Sequence, residues 1–176
     1  MVLRKLIHAG LDSAERTLRV PGSMEYLRAV AGHSRGAFLK FSLFLPLATH
    51  RRRLPSAAYH AARLAATRHQ DCGTCVQIVV NQARSDGVPA PLLRALLHDR
   101  PDDVPPEVAE AYRFARAVVE QAPDAESLRE QVRARFGEEG LVELALGIAS
   151  AQVFPVAKRA LGYATSCTLA SVELET

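Results

Sequence analysis

The chain has 176 residues, 48% of them apolar and 23% charged, with three cysteines and a formal charge of +3 from 22 basic and 19 acidic side chains. That length fits one domain able to bury roughly 70% of the surface its unfolded form exposes, and it needs no disulfide staples to fold. Aromatics at 6% and the lack of tryptophan leave the core to Ala, Leu and Val, an all-helical leaning. The near-balanced charge argues against a nucleic-acid groove, because the one dense basic cluster, Arg51 to Arg53, has no interleaved aromatics. It reads as a solvated loop or a subunit contact.

The opening MVLRKLIHAGLDSAERTLRV places Leu3, Leu6, Ile7, Leu11, Ala14 and Leu18 at helical spacing with charges between them. It predicts a packed amphipathic helix, not an export signal, and Asp12 and Glu15 dilute its positive face, which argues against a membrane-surface role. Val20-Pro-Gly-Ser23 closes this helix, with Ser23 as cap of a second that runs toward Gly32. A third is expected from about Ser34 to Leu45, ending at Pro46. The apolar run AFLKFSLFLPLA within it carries Lys40 and is too short to span a bilayer.

Leu54-Pro-Ser56 starts a fourth helix, SAAYHAARLAATRH, of high propensity. Asp71 is the expected N-cap of a fifth, from Cys72 to about Ser85, finishing at Asp86-Gly87 with glycine in the favoured place. Pro89 and Pro91 introduce a short helix through Leu97. The proline-rich RPDDVPPEVAE is a loop within one domain, leading to a helix from about Glu107 to Gln121. AESLREQVRARFG forms a helix ended by Gly137, and EEGLVELALGIASAQVF a long apolar one, broken or kinked by Pro155 before VAKRALGYATSCTLA. No strand, tandem repeat or low-complexity segment is evident.

The chemistry concentrates in HQDCGTCVQIVV, residues 69–80. At about 100° per residue Cys72, Cys75, Val76 and Val79 share one helix face, and both thiols fall in the first turn, where free amides and the helix dipole favour a thiolate. Two thiols at this spacing can close a disulfide. Buried inert cysteines and a zinc site are the competing readings; zinc wants four ligands, and neither a second CxxC nor a well-placed histidine is at hand. His69 and Asp71 directly precede the pair and are candidates for proton relay, or else an exposed helix end and a cap. Gln77 and Asn81 point away from the cysteines and read as polar surface, while Cys167 reads as core. Three cysteines cannot all pair within one chain, so a reducing, cytoplasmic compartment is expected.

The segment LPSAAYHAARLAATRHQDCGTC, a Leu-Pro pair and an alanine-rich helix before a CxxC that opens the next helix, resembles the alkylhydroperoxidase D-like branch of the carboxymuconolactone decarboxylase family. The similarity runs from about Phe38 to Tyr163, leaving residues 1–37 as N-terminal helices of the single domain 1–176. The resemblance implies an all-α, homo-oligomeric fold and a peroxidase in which Cys75 attacks a hydroperoxide, or an oxidised-thiol substrate, and Cys72 resolves it as a disulfide. An external dithiol reductant restores the pair, with no cofactor and no metal.

The family's Glu, twelve residues before the first Cys, is here His60, and its His, four after the second, is Val79. His60 is therefore the catalytic proton-relay candidate beside Cys72 and Cys75, since an imidazole can hold the proton that a thiolate and a leaving oxygen require. Two other functions remain open. A decarboxylase-type enzyme would not need the CxxC, and a non-catalytic oligomeric scaffold would have lost the relay together with its chemistry. Neither a membrane nor a nucleic-acid partner is expected.

Overall fold

The computed structural model describes residues 2–164, with side chains from residue 5 onward. Among these residues every regular element is helical. In chain order they are α1 (Val2–Leu18), α2 (Glu25–His33), α3 (Arg35–Ser42), α4 (Phe44–Ala48), α5 (Ser56–His69), α6 (Gly73–Ser85), α7 (Ala90–Leu97), a 3-10 turn (Pro101–Asp103), α8 (Pro106–Glu120) and α9 (Ala125–Ala160). Cys167 lies outside the described residues.

α5 is the hub. Alanines on every side let neighbouring helices approach closely, and all of residues 58–67 are buried, as expected of a helix surrounded by others. It packs against α6, α8 and α9 to form the main core with Leu64, Val76, Leu93, Leu96, Tyr112 and Leu144. At Gly147 the approach of α9 is so close that a Cβ would stand 3.0 Å from a Tyr59 ring carbon. α8 covers α5 along its length, and the hydroxyl of Tyr112 donates toward the Leu96 carbonyl and Asp99.

The N-terminal helices form a second, smaller cluster around Leu11, Met24, Tyr26, Leu27 and Phe38, which meets α6 and α9 through Ile78, Phe154 and Ala157. Glu15 ties α1 to α2 by accepting from the Met24 N–H at 2.9 Å and pairing with Arg28 at 2.9 Å. The Asn81 amide donates to the Leu18 carbonyl at 2.8 Å, so it is a tie between α6 and the end of α1 and not simply polar surface.

Three expected boundaries move, and a fourth, the break at Pro155, is not seen. Ser23 is buried ahead of α2, whose N-cap is Met24 with no side-chain cap. Ser34 does cap α3, accepting from the Ala37 N–H, but α3 ends at Ser42 and Pro46 sits inside the separate short α4. Asp71 is not the N-cap of α6: Cys72 takes that place with extended backbone, and Asp71 lies one residue outside in a left-handed conformation, φ 47°. The interruption of α9 is at Gly137, whose φ of 73° with ψ of 179° only glycine adopts readily, while the helix passes through Pro155 to Ala160.

α9 is also long and apolar enough, by length and composition, to cross a membrane, a feature not anticipated from the Ala37–Ala48 run. In this fold its inner stripe is built into the protein core: Gly140, Glu143, Leu144, Gly147, Ile148, Ala151, Pro155 and Lys158 are all buried.

Candidate active site

The turn between α5 and α6 holds the dithiol. Gln70 and the left-handed Asp71 reverse the chain within three residues, which sets α6 antiparallel to α5 and leaves Cys72 as N-cap and Cys75 as the third helical residue. Cys72 and Cys75 are joined as a disulfide with Cα atoms 5.3 Å apart, a separation ordinary for such a bond. Arg159 holds the turn from outside by donating to the Gln70 carbonyl.

The two sulfurs differ in surroundings. Cys72 is wholly buried, whereas Cys75 is 7% exposed and forms part of the wall of a cavity of about 850 Å³. This cavity lies between the two hydrophobic clusters, and its lining draws on α1, α2, α4, α5, α6 and α9. Its walls are mostly apolar, with Met24, Leu27, Ile78, Val79 and Phe154 prominent. Residues between Gly10 and Leu27, outside the stretch that carries the family resemblance, thus supply one wall.

Lys158 is the functional candidate that sequence reasoning missed. It is buried, lines the same cavity, and its Nζ donates to Thr74 Oγ1 at 2.9 Å. The Thr74 hydroxyl, while accepting from Lys158, can turn its own proton to Cys72 Sγ, 3.6 Å away. A Lys158–Thr74–Cys72 relay therefore places positive charge one hydroxyl away from a sulfur, the arrangement that favours a thiolate. Burial pushes the lysine below its ordinary range, against the weaker pull of Glu15 and Glu25.

Lys158 has no ion-pair partner among the described residues, so Lys158→Met should stabilise the fold, by about 1 kcal/mol, while slowing reaction of Cys72 about tenfold, the change one pKa unit makes in thiolate fraction. Thermal unfolding and the lifetime of the Cys75 sulfenate before it becomes a disulfide measure the two effects.

His60 stands elsewhere. It is buried, and its Nε2 lies 2.9 Å from Asp86 Oδ2 at the C-terminal end of α6, about 16 Å along the helix from the level of Cys75. The structure pairs it with Asp86 and not with the cysteines. Burial pushes the imidazole down to about 4, despite the carboxylate beside it. The same contact holds Asp86 below the usual carboxylate range.

An unfolded imidazole takes its proton near pH 6.5 and the folded one only near pH 4. Stability contributed by keeping His60 neutral is therefore present above pH 6.5 and lost as the pH falls through that window, by up to about 3 kcal/mol. His60→Gln should flatten this limb of the stability profile, read as melting temperature between pH 7 and 4. The Asp86 contribution falls away at lower pH still.

His69 and Asp71 are exposed and line a different, polar recess with Arg68, Tyr112 and Arg116, away from the cavity that Cys75 faces. Val79 lines the Cys75 cavity as an apolar wall. Among the described residues no group of three His, Cys, Asp or Glu side chains is placed to hold a metal ion.

The basic loop at Arg51 to Arg53 is organised by a buried carboxylate. Glu143 accepts from the backbone N–H groups of Arg52 at 2.9 Å, Arg53 at 3.0 and 3.2 Å, and Leu54 at 3.1 Å. Burial pushes Glu143 up, but these three donors outweigh it and hold the carboxyl below the usual range. Since Leu54 is buried beneath the start of α5, Glu143 fixes the entry of the helix that carries the site. Compared with known proteins, the chain matches no family model, no curated protein and no solved structure.

Proposed function

We propose that the chain is a thiol-dependent, peroxidase-like oxidoreductase of the kind the alkylhydroperoxidase D-like resemblance implies. The Cys75 thiolate attacks the terminal oxygen of a hydroperoxide, giving a sulfenic acid and releasing the alcohol. Cys72 then attacks the Cys75 sulfur, forming the disulfide and releasing water. An external dithiol reduces the disulfide by two successive exchanges and is itself oxidised.

The observation that carries this reading is the asymmetry of the pair: a disulfide-bonded couple of which Cys75 borders a cavity and Cys72 is sealed behind it, next to Thr74 and Lys158. That division suits an attacking and a resolving sulfur. Lys158 takes the role of charge partner in place of the Glu and His of the resembled family. The exposed Leu39 on α3, Leu43 at the junction, and Leu45 and Leu47 on α4 favour a homo-oligomer, since patches of this kind commonly mark contact surfaces. A reducing, cytoplasmic setting would keep the pair ready to act.

The test is stoichiometric. One equivalent of hydroperoxide added to the reduced protein should remove two alkylatable thiols and yield one equivalent of alcohol, with both thiols restored by dithiothreitol. Thiols that remain at the same count after excess peroxide would overturn the reading and favour a non-catalytic scaffold.

A further inference from the structure

The cavity contains more polarity than its apolar walls need. Ser23, Arg63, Thr67 and Gln82 all line it, and each has a buried polar side-chain atom with no hydrogen-bond partner: Oγ, Nε, Oγ1 and Oε1. Unpaired buried polar atoms are rare because each costs the hydration it has given up, and four of them on residues that line one space point to a missing partner. Arg63 is the most telling. It is 6% exposed, stacks 5.5 Å from the Tyr59 ring centroid, and has no carboxylate in ion-pair distance among the described residues. A buried guanidinium without an anion is an unbalanced charge.

The placement of these groups is ordered. Thr67 lies one turn beyond Arg63 on the same face of α5, and on α6 the cavity is bordered by Cys75, Ile78, Val79 and Gln82 in successive turns. Arg63 and Gln82 also border the adjoining recess at His60 and Asp86, so they mark the end of the cavity remote from Cys72. From Gln82 to Cys75 is about 10 Å along α6, and the side chains between are apolar. The volume, about 850 Å³, lies inside the ~300–1,000 Å³ range usual for small-molecule sites.

We propose that the cavity binds a long-chain carboxylate, with its head on Arg63, Thr67 and Gln82 and the middle of its apolar chain laid against Cys75. The planar guanidinium fork matches a carboxylate, the Thr67 hydroxyl adds a donor, Gln82 adds another when its amide turns the NH2 and not Oε1 to the head, and the chain takes the apolar walls. Resting on the thiol-peroxidase reading, the substrate class is then a fatty-acid hydroperoxide oxidised at mid-chain. Attack by Cys75 leaves the hydroxy acid, with the disulfide and water formed as above.

The probe is laurate, titrated calorimetrically against methyl laurate on the reduced protein and on the Cys72→Ser/Cys75→Ser double variant. Laurate should bind both proteins, with the uncharged ester at least tenfold weaker. Arg63→Gln should erase that preference; Thr67→Val, isosteric and free of any bond to lose within the protein, should weaken laurate several-fold while the fold stays intact. Equal binding of acid and ester, or binding of neither, overturns the site.

A separate arm compares oxidation of the dithiol by a mid-chain fatty-acid hydroperoxide and by its methyl ester. Tenfold faster reaction of the acid supports the substrate assignment, and equal rates overturn it while leaving the peroxidase. Laurate binding with no oxidation by either hydroperoxide overturns the thiol chemistry and leaves the binding site standing.

Discussion

Cys75→Ser abolishes hydroperoxide consumption, whereas Cys72→Ser still reacts once and stops with a sulfenic acid or a mixed disulfide on Cys75. The difference follows from position. Cys75 is the sulfur that borders the cavity, so a peroxide entering there meets it first, and Cys72 is sealed from that space. A serine at 75 is far less acidic than a thiol and does not carry the two-electron chemistry. Removing Cys72 deletes only the sulfur that closes the cycle. Mass spectrometry after dimedone trapping separates the two variants, since the adduct should form on Cys72→Ser and be absent from Cys75→Ser. Unchanged turnover by Cys75→Ser would remove the peroxidase reading altogether.

The second large effect is on stability. Glu143→Ala should cost about 3 kcal/mol, because it strands three backbone donors, that of Leu54 buried and those of Arg52 and Arg53 partly so, and opens a gap at the base of α5. In a protein of this size that lowers the melting temperature by about 10 °C. Glu143→Gln, which keeps the shape but supplies one acceptor and loses the charge, should fall between. The wild-type carboxyl is held below its unfolded value, so its contribution is full above the unfolded pKa and is lost as pH falls through the folded one. The two proteins should therefore converge in stability toward acid pH, an outcome that simple loss of packing would not produce.

Much of the fold was legible from local rules. Helix α5 matches its sequence expectation from Ser56 to His69, since a proline start, an alanine-rich body and a polar turn all agree. Gly87, with φ 81°, closes α6 where glycine was expected. The interruption expected at Gly137 is present, at a positive φ that costs glycine least, whereas the break expected at Pro155 is not, and α9 continues through it to Ala160.

The site was harder, because the Cys75 cavity forms only when six helices converge, and no window of sequence contains it. Yet Glu143 and Lys158 carried a readable signal. Both fall on the buried i, i+3/i+4 stripe Gly140, Leu144, Gly147, Ala151, Pro155 of α9, and a charge at core register needs a partner. By contrast, His60 shares its register with a catalytic position in the resembled family, and a register alone could not reveal that Asp86 would claim it.

The two hydrophobic clusters divide the molecule's cooperativity as well as its volume. The main core has α5 through its centre, while the N-terminal cluster is small and is held to the rest by a modest seam at α6 and α9, with the Asn81–Leu18 tie beside it. Such a layer is set to open by sub-global unfolding at lower free energy than the whole. Since residues between Gly10 and Leu27 line the Cys75 cavity, opening of that layer would widen access to the dithiol while the main core stays folded.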